Sequence, residues 1–454
     1  MIEQKWKVLI VVSIGVFMGT LNGSIVNIAN PTIAEVFSIS MTEVQWVVTV
    51  YMLVVTATML FFGKLGDKIG SHRLYVVGFA VFSLGSLVCG LSQSFPMLIG
   101  ARIFQAIGGS ILMATGLGLV SNAFPQEEKG KAIGMVGAVV GVGNLSGASI
   151  GGLLLQSFSW QSIFYLNVPV GILGALLGIF FLTPQQKNNE IKGFDLPGIL
   201  LFASATTVAL LAINNQGGHG VFLGLGAAIL LILLILWEKR SKEPFLDMPL
   251  FTIRDFTMGN IIGVFCYFPQ MSVAFLLPFY LEEVKALSTA SSGLVMTVHP
   301  LVMVLIAPLA GSLSDRFGSR PILMVSFALM TLSLGALGFL TAATPLWLLV
   351  LCLAVFGLGV GSFGSPNNST VLAGVSPQKQ GYGGSFLATM RNLSFGAGTA
   401  FFSAFFAARF AAVTPTDTAY AAALHDSYWA AAALCFIGLL LTLFFQKNSK
   451  RVQG

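Results

Sequence analysis

Apolar residues occur along this chain in long stretches separated by short polar segments. Each stretch is close to the ~20 residues that an α-helix needs to cross the hydrocarbon core of a bilayer. Counting the apolar stretches that the polar segments separate predicts about fourteen spanning helices. The predicted helices begin near residues 7, 45, 73, 96, 131, 161, 194, 219, 258, 289, 321, 345, 381 and 427. We therefore predict an all-α integral membrane protein.

The composition agrees with a protein that lies almost wholly within the membrane. Hydrophobic residues make up 56% of the 454 residues and charged residues 9%, whereas a soluble domain carries roughly 25% charged residues. These values exclude a large soluble enzyme. The cysteines lie in apolar stretches without metal-ligand spacing, so they are interpreted as small core residues, and neither a metal nor a cofactor is predicted. They are Cys89, Cys266, Cys352 and Cys435.

The basic residues determine the predicted orientation. The formal net charge is +6, and most Lys and Arg residues fall on alternate loops, which the positive-inside rule assigns to the cytoplasm. Both termini are then cytoplasmic, and a multi-pass protein of the plasma (cell) membrane is predicted. Basic residues in such loops face anionic lipid, so the expected partner is the lipid bilayer and not a nucleic acid.

A short pattern occurs twice. GKLGDKIGSHRL at 63–74 and GSLSDRFGSRPI at 311–322 both read G-x-L-x-D-[KR]-x-G-S, and both fall on predicted inner loops. Many transporters are built from such internal repeats. The repeat predicts two six-helix bundles with two extra helices between them. The predicted domains are residues 1–185, a linker with the extra pair at 186–248, and residues 249–454.

Four stretches resemble a known family. The loop GKLGDKIGSHR is similar to the signature loop of the major facilitator superfamily, and ARIFQAIGGS at 101–110 is similar to its fourth-helix motif. WQSIFYLNVPVG and the opening SIVNIANP resemble the fourteen-helix drug:proton antiporter branch. The resemblance extends over the chain from end to end. It implies a secondary transporter that exports drug-like, amphipathic small molecules by alternating access, driven by protons.

The resemblance also implies a gate. In the family the signature loop latches the two halves on the inner side and releases during transport. Asp67 lies at the inner end of its predicted helix, where it can cap the N-terminus of a neighbouring helix or pair with an arginine such as Arg73. The alternative interpretation is that these residues only anchor the inner loops. It would explain their charges, but neither the spacing of the glycines nor the duplication of the pattern. The predicted gating residues are Gly63, Asp67, Gly70, Arg73, Asp315 and Arg316.

The predicted fifth helix carries a glycine pattern. Gly143, Gly147 and Gly151 are four residues apart, so with Gly152 they predict a smooth face for helix packing. The pattern matches the antiporter motif of the family, except that the proline of the motif is replaced by Ala148. This departure weakens the implied antiport, since the proline bends the helix.

The first helix departs from the branch at one informative position. Related antiporters usually have an aspartate where this chain has Asn22, and none of its 17 acidic residues is predicted at mid-membrane depth. Asn22 and Arg102 are both predicted to lie ~9 Å below the outer surface. Arg102 either braces the fourth helix through hydrogen bonds, with Gln105 or backbone carbonyls as partners, or contacts the substrate.

His299 is the candidate proton carrier. It is predicted ~15 Å deep, near the membrane midplane, and histidine titrates near neutral pH. Pro300 follows it and should loosen the helix. A hydrogen-bonded packing histidine is the other interpretation. The full set of predicted substrate-binding residues is Asn22, Asn27, Arg102, Gln105, Tyr267, Gln270, His299 and Asn367.

The leading hypothesis is thus a proton-coupled exporter of drug-like small molecules. The alternative is a facilitator, or an exporter of an anionic metabolite or lipid, that lacks an acidic proton site. An enzyme is not expected, because the sequence contains neither a His/Asp/Glu metal cluster nor a GxSxG motif. The expected partners are a small-molecule substrate and, as a candidate coupling ion, the proton. Nothing in the sequence indicates more than a monomer.

Overall fold

The computed structural model describes residues 3–184, 195–214, 220–241, 244–412 and 417–443. The start of the predicted linker, residues 186–194, lies outside this part. The described residues form α-helices joined by short turns and contain no strand. The α-helices are α1 (Gln4–Phe37), α2 (Met41–Val44), α3 (Trp46–Ile69), α4 (Ser71–Gly90), α5 (Phe95–Ala123), α6 (Lys129–Ser157), α7 (Ser162–Tyr165), α8 (Asn167–Phe181), α9 (Leu196–Asn214), α10 (Gly220–Glu238), α11 (Arg254–Phe279), α12 (Thr289–Met296), α13 (Val298–Phe317), α14 (Ser319–Leu337), α15 (Leu346–Ala373), α16 (Gln380–Ala412) and α17 (Asp417–Thr442).

These helices confirm the predicted fold class. Within the described residues, 13 helices are long and apolar enough to cross a membrane, and a shorter apolar helix spans Leu196–Ala212. Most helices begin within a few residues of the predicted positions. The last helix is an exception, since it begins at Asp417, ten residues before the predicted start near residue 427.

The chain folds into two compact units. Unit 1 comprises Met1–Pro125, Val139–Pro249 and Val375–Thr389; unit 2 comprises Gln126–Ala138, Leu250–Gly374 and Met390–Gly454. Both α6 and α16 therefore begin in one unit and continue in the other. The two extra helices, α9 and α10, belong to unit 1, where α9 packs against α3. The domain bounds expected from the sequence stay a prediction.

In unit 1, glycines allow α4 and α5 to pack backbone against backbone. A Cβ atom added to Gly108 would come within 2.3 Å of the Phe82 nitrogen, and one added to Gly85 within 2.5 Å of the Gln105 Cα atom. Small residues permit such close approach of membrane helices. The Ser94 side chain accepts a hydrogen bond from the Met97 nitrogen and caps the start of α5. These contacts fix where the polar residues of α5 lie along the helix axis relative to α4.

In unit 2, α15 lies between α13 and α14. A Cβ atom on Gly357 would come within 2.7 Å of the His299 carbonyl oxygen, and one on Gly359 within 2.9 Å of the Ser326 carbonyl oxygen. The Ser326 hydroxyl donates to the Gly359 carbonyl at 2.7 Å. Close packing on both sides of α15 holds the next polar turn of this helix, which contains Asn367, in a fixed position.

Candidate functional site

The centre of unit 1 contains a buried guanidinium group without an acidic partner. Arg102 donates from Nε to the Val47 carbonyl at 2.9 Å, and from Nη1 to Gln105 Oε1 at 2.5 Å and Asn22 Oδ1 at 3.3 Å. Its Cζ atom lies 4.4 Å from the centre of the Tyr51 ring, a cation–π arrangement. The structure therefore brings together Asn22 and Arg102, whose predicted depths are similar, with Gln105 as a further partner of Arg102.

The same cluster is closed to solvent and incompletely paired. Asn22, Arg102 and Gln105 are all 0% exposed. Gln105 Nε2 donates to Asn22 Oδ1 at 3.3 Å and to the Ser86 hydroxyl at 2.6 Å. Among the described residues, Nη2 of Arg102 and Nδ2 of Asn22 have no hydrogen-bond partner. In this conformation Arg102 braces three helices, and its contact with a substrate stays a prediction.

The predicted glycine face of α6 lies against α1. Added Cβ atoms would come within 2.0 Å of Thr20 Oγ1 at Gly143, 1.9 Å of Ser24 Oγ at Gly147, and 2.9 Å of Ile25 Cγ1 at Gly151. The pairs advance together, so the two helices run parallel. Gly152 is a correction to the prediction: a Cβ atom there would meet nothing within 4 Å, because it lies a quarter turn around the helix from Gly151.

Two amides beside this glycine face are exposed. Asn27, a predicted substrate residue, donates from Nδ2 to the Gly23 carbonyl of its own helix at 3.2 Å. Asn144, at the middle of α6, is also exposed. Lipid offers polar side chains no hydrogen-bond partner, so both amides are candidates for contact with water or substrate. The sequence analysis missed Asn144, although an amide between packing glycines was a usable signal.

Unit 2 contains the other predicted polar residues. Asn367 is 0% exposed, and neither atom of its amide has a hydrogen-bond partner among the described residues. A Cβ atom on Gly263 would lie 3.9 Å from Asn367 Nδ2 and 3.7 Å from the Tyr267 ring. Tyr267 packs edge-on against Phe363 and Phe395. The structure therefore places Asn367 next to an aromatic cluster.

Gln270 and His299 occupy separate places in unit 2. Gln270 is buried, and its Nε2 donates to the Cys266 carbonyl at 3.3 Å, a bond within its own helix. The His299 ring lies 5.1 Å from the Phe356 ring, and its Nε2 atom is buried without a partner among the described residues. The helix is interrupted at Thr297, as expected from Pro300. A proton-carrying role of His299 stays a prediction.

Asp67 caps a helix that begins more than 300 residues later. Its Oδ1 accepts a hydrogen bond from the Gly381 nitrogen at 2.9 Å, and its Oδ2 accepts one from the Tyr382 nitrogen at 2.8 Å. These are nitrogens of the first turn of α16, where the helix dipole favours a negative charge. Of the two partners suggested by the sequence, the structure shows the helix N-terminus, while Arg73 is exposed.

The second copy of the pattern makes the equivalent contact in unit 2. Asp315 Oδ1 accepts from the Gly130 nitrogen and Oδ2 from the Lys131 nitrogen, both at 3.0 Å. These nitrogens belong to the first turn of α6. Arg316, like Arg73, is exposed. The repeated aspartate thus has one structural role in both copies, namely to cap the N-terminus of a distant helix.

The glycines of the repeat have matching roles as well. A Cβ atom on Gly63 would come within 2.8 Å of the Gly381 carbonyl oxygen, and one on Gly311 within 2.1 Å of the Gly130 carbonyl oxygen. Gly70 and Gly318 end their helices with φ values of +102° and +85°, which L-residues rarely adopt. The first glycine therefore allows close approach, and the last allows the turn.

Comparison with known proteins identifies the family. The family model described as Major Facilitator Superfamily matches residues 12–399, with a second match at 259–453. The chain belongs to the Major Facilitator Superfamily. It is therefore a membrane transporter and not an enzyme.

Individual relatives of this superfamily member differ in their named substrates. Riboflavin transporter RibZ of Clostridioides difficile (strain 630) is 60% identical over 455 residues, which cover 99% of each chain. The tetracenomycin C resistance and export protein of Streptomyces glaucescens is 30% identical over 424 residues, 92% of this chain and 79% of the relative. The human organic anion transporter MFSD10 has a similar fold, with a TM-score of 0.72 at 14% identity, covering 97% of this chain and all of MFSD10.

Proposed function

We propose that this protein transports riboflavin, or a closely similar flavin, without an acidic proton site. The observation that carries the proposal is the 60% identity to riboflavin transporter RibZ across 99% of both chains. Relatives whose names refer to drug export or drug resistance are only 30% and 31% identical. Metabolite transport, the alternative suggested by the sequence, is therefore preferred over proton-driven drug export.

The chemistry of the polar residues supports an uncharged substrate. Riboflavin is neutral at physiological pH and combines a flat tricyclic ring with an imide edge and a hydroxylated chain. Exposed amides such as Asn27 and Asn144 suit the imide edge and the hydroxyl groups of such a molecule. Arg102 would attract an anionic metabolite, but it is enclosed by neutral partners. We therefore propose the facilitator version of the alternative, with a neutral cargo.

Proteoliposomes loaded with unlabelled riboflavin test this proposal. We expect saturable counterflow of labelled riboflavin, and a rate that changes little when a pH gradient or a membrane potential is imposed, because neither the cargo nor Asn22 carries a titrating charge. Empty liposomes are the control. Absence of riboflavin counterflow, together with uptake of a cationic dye driven by the pH gradient, would favour drug:proton antiport instead.

The missing acid can be restored. In Asn22→Asp, the new carboxylate would lie beside Arg102, where the Asn22 oxygen is now 3.3 Å from Nη1. We expect this variant to gain uptake of a cationic dye that responds to a pH gradient, because burial in the membrane favours the neutral form of a carboxyl group and so lets it take up and release a proton. Asn30→Asp on the same helix is the matched control. Equal behaviour of the two variants would contradict this role of position 22.

His299→Gln tests the remaining titratable candidate. If riboflavin moves without protons, this variant should keep both counterflow and insensitivity to the pH gradient. If the unmodified protein shows gradient-driven flux and His299→Gln loses it while keeping counterflow, the proton-coupled hypothesis returns with His299 as the carrier.

A further inference from the structure

The loop after α10 contains a short segment that is bound at both ends. We call residues 244–247, Pro-Phe-Leu-Asp, the strap. The Glu238 carboxylate at the end of α10 accepts hydrogen bonds from the Phe245 and Leu246 nitrogens, both at 3.1 Å. Glu238 is 4% exposed, so these bonds are shielded from water. The start of the strap is therefore fixed to the second of the two extra helices.

The extra helices are themselves fixed to each other at this end. The Trp237 indole donates to Asp195 Oδ1 at 2.8 Å, and the same oxygen accepts from the Gly198 nitrogen at the start of α9. The Phe245 ring is 1% exposed and lies 5.5 Å from the Phe202 ring of α9. Burial of a phenyl ring removes apolar surface from water and so stabilises this contact. The strap is therefore anchored to α9 and α10 by polar and apolar contacts.

The other contacts of the strap are with the two helix ends that form the Asp67 contact. On α3, the Lys64 ammonium group, one turn before Asp67, donates to the Pro244 carbonyl at 2.7 Å. At the start of α16, Lys379 forms an ion pair with Asp247 at 2.6 Å, and the Tyr382 hydroxyl accepts from the Asp247 nitrogen at 3.1 Å. Tyr382 is also the residue whose own nitrogen binds Asp67.

We propose that the strap holds the contact between the inner end of α3 and the first turn of α16, so that α9 and α10 control how readily this contact opens. Lys64 and Tyr382 each contact the strap while lying next to Asp67 or binding it. Separation of α3 from α16 therefore has to break the strap contacts as well as the two Asp67 hydrogen bonds. The extra helix pair would then act as a brake on the inner gate.

Accessibility of a cysteine at this contact tests the proposal. Ser385 is 0% exposed, and a Cβ atom on Gly63 would come within 2.1 Å of its hydroxyl oxygen. The labelling rate of Ser385→Cys by a membrane-permeant maleimide therefore reports opening, over a low background from the four buried native cysteines. In this background we expect Asp247→Asn to raise the labelling rate about threefold, which corresponds to loss of a partly exposed ion pair.

Companion variants separate the strap from other causes. Lys379→Gln should give the same increase, and its combination with Asp247→Asn no further increase, because both remove one ion pair. Phe245→Ala should raise labelling about tenfold or more, since it removes the buried anchor. Asp255→Asn, which removes an acid from the first turn of α11, beyond the strap, is the control for charge alone. Size-exclusion profiles identify variants that fail to fold. If Phe245→Ala is one of them, the labelling rate of Asp247→Asn still tests the proposal.

Two results would overturn the proposal. The first is an unchanged labelling rate in Asp247→Asn and Lys379→Gln. The second is an unchanged rate in Asp67→Ala, because the strap would then have no contact to hold. Faster labelling in the strap variants with no change in Asp255→Asn supports the proposal, whether or not riboflavin proves to be the cargo.

Discussion

The two copies of the repeat capture a helix N-terminus with the same geometry but with different support. Asp67 is 7% exposed, and the strap contacts both helices that its two hydrogen bonds join. Asp315 is less buried, and Glu127 and Glu128 place like charges close to its carboxylate. A repeated pattern therefore specifies the geometry of a contact, whereas the surrounding chain determines its strength.

The first glycines of the two copies also differ, and here the backbone approaches more closely in the second copy, at Gly311, than in the first, at Gly63. At Gly311, an added Cβ atom would first meet backbone, the Gly130 carbonyl oxygen at 2.1 Å. At Gly63 it would first meet a side chain, the Ser385 hydroxyl at 2.1 Å, and backbone only at 2.8 Å. The contact of the first copy therefore depends more on the charge of Asp67. The contact of the second copy depends more on the absence of a side chain at Gly311.

The largest expected effect is that of Asp67→Ala. This change removes two buried, charge-assisted hydrogen bonds, and we expect it to destabilise the contact between α3 and α16 by roughly 3 kcal/mol. Asp315→Ala should cost only about 1 kcal/mol, because water competes for a half-exposed carboxylate. Riboflavin turnover in proteoliposomes should fall more in Asp67→Ala than in Asp315→Ala, with little change in KM, since the substitutions alter a conformational step and not binding.

Asp255→Ala, which removes a first-turn acid of α11, controls for a general loss of negative charge. Equal turnover in the Asp67 and Asp315 variants would contradict the difference in support. A large rise in KM with unchanged maximal turnover would contradict the assignment of both aspartates to a conformational step.

Substitution of the first glycine of each copy should have a smaller effect than loss of Asp67. Here the second copy, with Gly311, should be the more sensitive of the two. Gly311→Ala should cost about 2 kcal/mol, because two backbones must part. Gly63→Ala should cost less once Ser385→Gly removes the nearest side chain. Turnover of Gly63→Ala should therefore recover in part in the double variant. Failure to recover would show that the Gly381 backbone, and not Ser385, limits the space at Gly63.

Sequence reasoning found the residues of these contacts but not their partners. The spacing placed Asp67 and Asp315 at inner helix ends, and the sequence left two partners open for Asp67, a helix N-terminus or an arginine such as Arg73. The identity of that helix could not follow from the sequence, because Gly381 lies 314 positions away. The strap was missed for the same reason, since Asp247 and Lys379 looked like ordinary loop charges.

The membrane-embedded residues show the same limit. Helix depth placed Asn22 and Arg102 at one level, and the structure joins them at 3.3 Å. Depth could not show that Arg102 is fully enclosed, because enclosure depends on the close packing of α4 on α5. It also could not distinguish the buried Asn22 from the exposed Asn27, since which side of a helix is covered depends on its neighbours.

The smallest expected effect concerns the last glycines of the two copies. Gly318 has φ +85° and ψ 159°, a region open almost only to glycine, yet an added Cβ atom would meet nothing within 4 Å. Gly318→Ala therefore isolates backbone strain, at about 1 kcal/mol, which corresponds to about 1 °C in apparent Tm in detergent for a chain of 454 residues. Gly70→Ala should cost slightly more, because its Cβ atom would also displace the His72 ring, at 2.8 Å.

Gly293→Ala, in an open helical position of α12, is the control and should leave Tm unchanged or raise it. If Gly318→Ala behaves like Gly293→Ala, the turn of the second copy tolerates side chains, and its glycine has no role in the strength of that copy.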